Sequence, residues 1–361
     1  MFVAGMGTAV PEFSVTQERA ATIATSMCDF DAAQSERLQK LYRLTRVGKR
    51  HSVLLNDDRG QRDSQDFFPP PNGHPSLGPT LGERMLRYER HASDLAIAAA
   101  ESALLDAEAA AGEITHLITV SCSGFAAPGT DIALIRELGL SPGTQRTHVG
   151  FMGCHGALNG MRVARAFVRS DPSAVVLLVA VEICSVHYQF SLEDETNLAN
   201  GLFSDGAGAL VARAWAEPAP ETWKATAAGS CILPDSETAM TWKVRDHGFQ
   251  MTLGREVPQR IQTYLHPWLS AWLAPHGLAL EEVATWAVHP GGPAILQSVR
   301  AALALSQDDL RYSWEVLREY GNMSSPTILF VLDRLRAADA PRPCVALGFG
   351  PGLAVEAVLF Q

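Results

Sequence analysis

The stretch that most restricts the fold is residues 173–182, SAVVLLVAVE, an apolar run with no alternation. A half-exposed strand alternates apolar with polar residues, and a surface helix keeps a polar stripe. A run with neither pattern suits a strand covered on both faces. Covering both faces takes further layers, so the chain reads as a layered α/β protein.

The rest of the sequence supplies those layers. Residues 1–10 read as a short strand and HLITVSC (116–122) as a second buried strand. Residues 17–47 read as helical, running into the basic stretch RLTRVGKRH. ASDLAIAAAESALLDAEAAAG (92–112) is strongly helical by propensity, with Gly112 as its expected stop. DFFPPPNGHPSLGPT (66–80) is a loop by its Pro and Gly content. GLFSDGAGALVAR (201–213) combines a turn with a strand, and the Pro-rich AWAEPAPETW (214–223) divides the chain. Beyond it come a long helix near 256–274, a strand at 285–292, a helix, a further helix within 320–338, and a strand pair in 344–360. Strand–helix alternation on both sides of the connector predicts two similar halves, 1–218 and 219–361.

Bulk properties exclude several classes. The 361 residues are 47% hydrophobic and 19% charged, as in a soluble globular protein. A formal net charge of −10 argues against wholesale nucleic-acid binding. No apolar run is long enough to span a bilayer, and MFVAGMGTAVPEF carries no basic leader, so a cytoplasmic location is expected. The six cysteines, Cys28, Cys122, Cys154, Cys184, Cys231 and Cys344, form neither a CxxC pair nor a disulfide frame. Reduced thiols and no metal site follow.

Three residues stand at glycine-rich junctions: Cys154 in GFMGCHGALNG, His289 in AVHPGGPA and Asn322 in YGNMSS. Taken singly, the cysteine reads as packed filler, the histidine as a loop residue and the asparagine as a left-handed turn residue. Together they suit acyl chemistry. A thiol titrates near about 8.5, and a helix N-terminus or an imidazolium lowers that value, so Cys154 is expected as a standing thiolate that takes an acyl group from a thioester. His289 and Asn322 then aim N–H donors at the carbonyl oxygen where charge builds. After Asn322 the next helix is expected to start with Ser325 as N-cap and Pro326 at its first position.

These segments, with LFSDGAGAL, AVHPGGPAIL, REYGNMSSPTILFVLD and the closing GFGPGL, resemble the chalcone synthase superfamily, the type III polyketide synthases. The resemblance runs from about Gly5 to Phe360 and includes the His289–Asn322 spacing. It implies a thiolase-like fold, two βαβαβαββ halves forming an α-β-α-β-α sandwich. It also implies a homodimer in which Cys154 carries the chain while His289 and Asn322 assist loading and stabilise the enolate left when malonyl-CoA loses carbon dioxide. The substrates are acyl-CoA and malonyl-CoA, with no resident cofactor, no acyl carrier protein and no membrane partner. A small aromatic or pyrone product follows from cyclisation.

Other positions carry over from the same resemblance. Phe203 matches an aromatic gatekeeper and Met251 its partner. Cys122, Cys184, His187, Trp242 and Ser324 match pocket positions. Arg37, Lys40, Arg46, Gly292 and Ala294 match the coenzyme A path. A third basic position appears as Leu44, with Arg43 or Arg46 as substitutes. GFGPGL shapes backbone near the site; at the chain end, with no following helix, it is not a dinucleotide loop.

The departures bear on the product. Plant chalcone synthases have phenylalanine where His155 stands, phenylalanine at Met251, glycine at Trp242, threonines at Cys122, Cys184 and His187, and at Ala127 a methionine that reaches across the dimer. Trp242 with the paired cysteines is more similar to bacterial tetrahydroxynaphthalene synthases, so malonyl-CoA as starter and extender, or an aliphatic starter, fits better than a coumaroyl one. His155 either tunes the thiolate or is buried as a structural residue; projection around the helix favours the second. With Cys154 it lacks a third ligand for a metal. The alternatives are a third-kind β-ketoacyl synthase using acyl carrier protein, a papain-like cysteine hydrolase, and a non-catalytic dimer that keeps the cavity for binding.

Overall fold

The computed structural model describes residues 1–28, 30–69, 78–215 and 222–361. The expected loop at 66–80 and the connector at 214–223 fall largely outside the described residues.

The first half opens with β1 (Phe2–Ala9), β2 (Ser14–Thr16), α1 (Gln17–Met27), α2 (Ala32–Leu44) and β3 (Lys49–His51). It continues through α3 (Leu81–Asp106), β4 (His116–Ser121), α4 (Thr130–Glu137), β5 (Gln145–Gly150) and α5 (Gly156–Ser170). β6 (Val175–Ile183), α6 (Asp194–Leu202) and β7 (Asp205–Arg213) complete it. The second half runs β8 (Ala225–Ile232), β9 (Met240–Arg245), β10 (Gly248–Leu253), α7 (Val257–Leu273) and β11 (Thr285–Val288). It ends with α8 (Pro293–Ala302), α9 (Arg311–Tyr320), α10 (Thr327–Ala337), β12 (Cys344–Gly350) and β13 (Ala354–Phe360).

The apolar run at 173–182 is β6, buried on both faces as expected. It lies inside a five-stranded sheet, β1-β7-β6-β4-β5, in which β4 pairs parallel with β5 and β6 while β7 runs antiparallel to β6 and β1. The second sheet is four-stranded, β11-β12-β13-β8, with one parallel and two antiparallel pairs. α3 packs on the outer face of the first sheet, α5 and α10 fill the space between the sheets, and α7 with α8 covers the far face. The layers therefore follow the α-β-α-β-α order of a thiolase-like fold. Three apolar clusters fill the spaces between successive layers.

Some boundaries differ from expectation, for local reasons. The helical stretch 17–47 divides because Asp31 caps α2: its carboxylate accepts from the Gln34 N–H and the Gln34 side chain accepts in return. α3 starts earlier, at a Thr80–Glu83 capping box, and stops at Asp106, where Glu108 turns left-handed, well before Gly112. Ser325 does not cap α10; its hydroxyl is taken by Glu182, and Pro326 holds the cap position. The β9–β10 hairpin and the exposed edge strand β5 had no clear sequence signal.

Candidate active site

The glycines around Cys154 are required by close approach. Gly153 has φ +73°, and a Cβ there would lie 2.4 Å from Pro351 Cδ. A Cβ on Gly156 would lie 2.8 Å from Val120 Cγ1, and one on Gly160 2.5 Å from Leu178 Cδ1. These absences seat α5 on β4 and β6 and set the Cys154 turn against the loop after β12. His289 follows the end of β11, and Asn322 lies between α9 and α10.

Cys154, His289 and Asn322 line one cavity of about 340 Å³, with the thiol from the first half and the other two from the second. Asn322 has a defined orientation. Its Oδ1 accepts the Ser324 N–H at 2.8 Å, which turns Nδ2 toward the cavity and within reach of the thiol. Both ring nitrogens of His289 are buried without a hydrogen-bond partner. An unpaired buried imidazole is costly unless a ligand completes it.

The ionisation differs from the expected standing thiolate. Burial pushes the Cys154 thiol up to about 11, with hydrogen bonding from Ser324 and Asn322 opposing and Glu182 reinforcing the rise. Burial likewise holds His289 down at about 3. The resting pair is a neutral thiol and a neutral imidazole, because desolvation outweighs the helix start.

A small cavity beside Cys154 is lined by Cys122, Cys184, Phe203, Trp242, Met251 and Ser324, all six among the expected pocket residues. Cys122 Sγ lies 3.2 Å from Ser324 Oγ, and the Trp242 indole N–H donates to the Cys122 carbonyl at 2.7 Å. His187 stands one layer back. Its Nε2–H donates to the Ser123 carbonyl at 2.6 Å, Nδ1 accepts the Phe249 N–H at 3.0 Å, and its ring stacks on Phe249. Its burial holds it neutral, near 3. It supports the wall rather than facing the chamber.

His155 is buried, donates from Nδ1 to Asn159 Oδ1 at 2.6 Å and packs against Gly348 and Gly350. The structural reading of this residue is the one its contacts support. Ala127 lies away from the thiol, in a cavity beside β5.

The coenzyme A positions are only partly brought to the cavity. Ala294 lines it, but Gly291 does so in place of Gly292. Arg37 is exposed and held bidentate by Asp194 at 2.7 Å, and it is Asp194 that reaches the cavity wall. Lys40 is exposed on α2, and the Arg46 guanidinium sits over the Trp314 ring at 5.3 Å. Among the described lining residues the cation is Arg255, which sequence reasoning passed over.

Glu182 was also missed. It is fully buried at the end of β6 and accepts from the N–H groups of Cys122 and Ser123 and from the hydroxyls of Ser121, Ser123 and Ser325. Burial raises its pKa while these bonds oppose the rise. It ties the β4 end to the segment carrying Asn322. The signal was present as the one acid closing an otherwise apolar run.

Comparison with known proteins decides the family. The family model for chalcone and stilbene synthases, N-terminal domain, matches residues 1–215, and that for the C-terminal domain matches residues 224–361. The chain belongs to the chalcone and stilbene synthase family. It is a type III polyketide synthase, an acyl-transferring condensing enzyme, which sets aside the hydrolase and the β-ketoacyl synthase readings. Among its relatives, the "Alpha-pyrone synthesis polyketide synthase-like Pks18" of Mycobacterium tuberculosis is 32% identical over 99% of this chain and 90% of that protein. The "3,5-dihydroxyphenylacetyl-CoA synthase" of Amycolatopsis orientalis is 29% identical over 99% and 92%. Among solved structures, PKS-I from the brown alga Ectocarpus siliculosus superposes with a TM-score of 0.94 at 30% identity, covering 100% of this chain and 97% of that one. A type III pentaketide synthase from Neurospora crassa gives 0.84 at 25% identity, covering 100% and 99%.

Proposed function

We propose that this type III polyketide synthase loads an acyl-CoA starter on Cys154, extends it with malonyl-CoA, and cyclises it to a small aromatic or pyrone product. The observation that carries the assignment of roles is the single cavity shared by the Cys154 thiol, the unpartnered His289 ring and the oriented Asn322 amide.

In loading, Cys154 Sγ attacks the starter carbonyl while its proton passes to the neutral His289 ring. The tetrahedral oxyanion is held by the Asn322 Nδ2–H and the imidazolium. The intermediate collapses to the Cys154 thioester, and the proton leaves His289 with the coenzyme A sulfur. In extension, malonyl-CoA loses carbon dioxide, and the electron pair of the broken C–C bond becomes an enolate whose oxygen faces the Asn322 Nδ2–H and the remaining N–H of the His289 ring, neutral again after loading. The enolate carbon attacks the Cys154 thioester and displaces the sulfur. The longer chain then returns to the cysteine. No base removes a carbon-bound proton, and no resident cofactor takes part.

Trp242 and Met251 narrow the small cavity beside the thiol, which supports malonyl-CoA or an aliphatic acyl-CoA as starter over a bulky aromatic one. Free coenzyme A thioesters serve without a carrier protein. A homodimer and a cytoplasmic location belong to the same reading. The dimer is supported by the exposed edge strand β5 and the exposed Phe125, Phe151 and Ile132 near it.

Mass spectrometry of products from malonyl-CoA with a panel of acyl-CoA starters, and no carrier protein, tests the reading. New polyketides are expected, and Cys154→Ala abolishes them. Undiminished product from that variant, or strict dependence on acyl carrier protein, overturns it.

A further inference from the structure

Where the catalytic cavity opens to solvent, its wall carries two acids, Asp194 and Glu195 from the first turn of α6, beside Arg255. Each acid is tied to a cation from another element. Arg37 of α2 donates from Nε and Nη2 to the two Asp194 carboxylate oxygens, both at 2.7 Å. Arg255, from the link between β10 and α7, places its Nε 3.4 Å from Glu195 Oε1. The Arg37 bonds hold the Asp194 carboxyl below its usual range and Arg255 adds to the effect, so Asp194 is ionised at neutral pH. The Arg37 side chain is 67% exposed and that of Asp194 38%, so the pair is one that a competing anion can open.

On the reading proposed above, the substrates are coenzyme A thioesters, and these bring a diphosphate and a further phosphate to this opening. Acids are an odd choice there, because they repel such a ligand. Their partners give the reason. A guanidinium fork takes a carboxylate or a phosphate in the same way, by two parallel N–H···O bonds, and it cannot take both at once. Asp194 is therefore a competitor already in place. A phosphate gains Arg37 only by displacing a bonded carboxylate. The reaction has a use for that contest. Loading and every extension leave free coenzyme A behind, and it has to depart before the next malonyl-CoA enters. A carboxylate that retakes the guanidinium shortens the stay, since affinity differences within one site fall mainly on the dissociation rate.

We infer that Asp194 is a positioning residue for release: it holds Arg37 at the opening of the cavity and takes it back from coenzyme A at the end of each round.

Calorimetric titration of the full chain with free coenzyme A, and with pantetheine, which lacks the phosphates, tests this. Asp194→Asn keeps the shape of the side chain and removes its charge. It is expected to tighten coenzyme A about three- to fivefold and to leave pantetheine as it was. Inhibition of malonyl-CoA consumption by added coenzyme A is expected to deepen by the same factor. In an Arg37→Gln background the substitution is expected to bring no gain, because the guanidinium in contest is gone. Weaker or equal coenzyme A binding by Asp194→Asn overturns the inference, as does an equal gain for pantetheine. A gain that persists without Arg37 also overturns it, since that is plain charge repulsion. Failure of the unaltered protein to bind coenzyme A at all overturns the proposed substrate class as well, which separates the two readings.

Discussion

Phe203 and Asn322 are held side by side by backbone. The Asn322 N–H donates to the Leu202 carbonyl and the Ser204 N–H to the Asn322 carbonyl, each at 2.9 Å, so Phe203 is bracketed by bonds to the segment that carries the amide. The amide has one job left once Ser324 has taken its oxygen: to donate. Asn322→Ala is expected to lower carbon dioxide release from malonyl-CoA about 10²–10³-fold while the melting transition keeps its cooperativity. An unchanged decarboxylation rate would remove Asn322 from the reaction.

The ionisation of Cys154 sets a pH profile. With the folded thiol near 11, its thiolate fraction at pH 7 is small and rises about tenfold per pH unit up to about pH 10. Alkylation of the Cys154 peptide by iodoacetamide, followed by mass spectrometry without substrate, is expected to climb throughout that range. A plateau below pH 8 would mean a resting thiolate.

Trp242 separates the chamber at Cys154 from the cavity beyond. Trp242→Gly is expected to join them and to shift the product profile toward longer chains or longer starters. The comparison is by mass spectrometry at equal protein. An unaltered profile would show that the partition lies elsewhere.

Glu182 gathers donors from residues 121–123 and Ser325 in a site closed to water. Glu182→Ala leaves several of them unsatisfied and is expected to cost about 3–5 kcal/mol, read as a lower denaturant midpoint. A midpoint equal to the parent's would contradict the network.

His155→Phe keeps a flat ring against Gly348 and Gly350 but loses the bond to Asn159. A stability loss of about 1–2 kcal/mol with a nearly unchanged alkylation profile is expected. A displaced pH profile would instead mean that His155 tunes the thiol.

Cys154, His289 and Asn322 were legible because each is flanked by glycines that mark a junction, and because acyl chemistry needs all three residue types at once. β6 was legible because complete burial erases periodicity. The hairpin bearing Trp242 and Met251 was not, since β9 and β10 carry mixed exposure and take their order from packing over the site. Edge strand β5, QRTHVG, is exposed along most of its length and so lacks an apolar pattern. The protonation of Cys154 could not be read from its place before a helix, because depth of burial is a property of the assembled halves. The same holds for Arg37, whose charge is matched by Asp194 from a distant helix.

The missing Cβ at Gly153 has a mechanical consequence. At 2.4 Å from Pro351, even one added methyl would act as a wedge between the nucleophile's turn and the terminal loop. Either the Pro351 loop or the turn that carries the sulfur would have to yield, and the thiol would lose its seat in the cavity. A dead Gly153→Ala protein would thus have every reactive group intact and still be inert, a machine stopped by a shim.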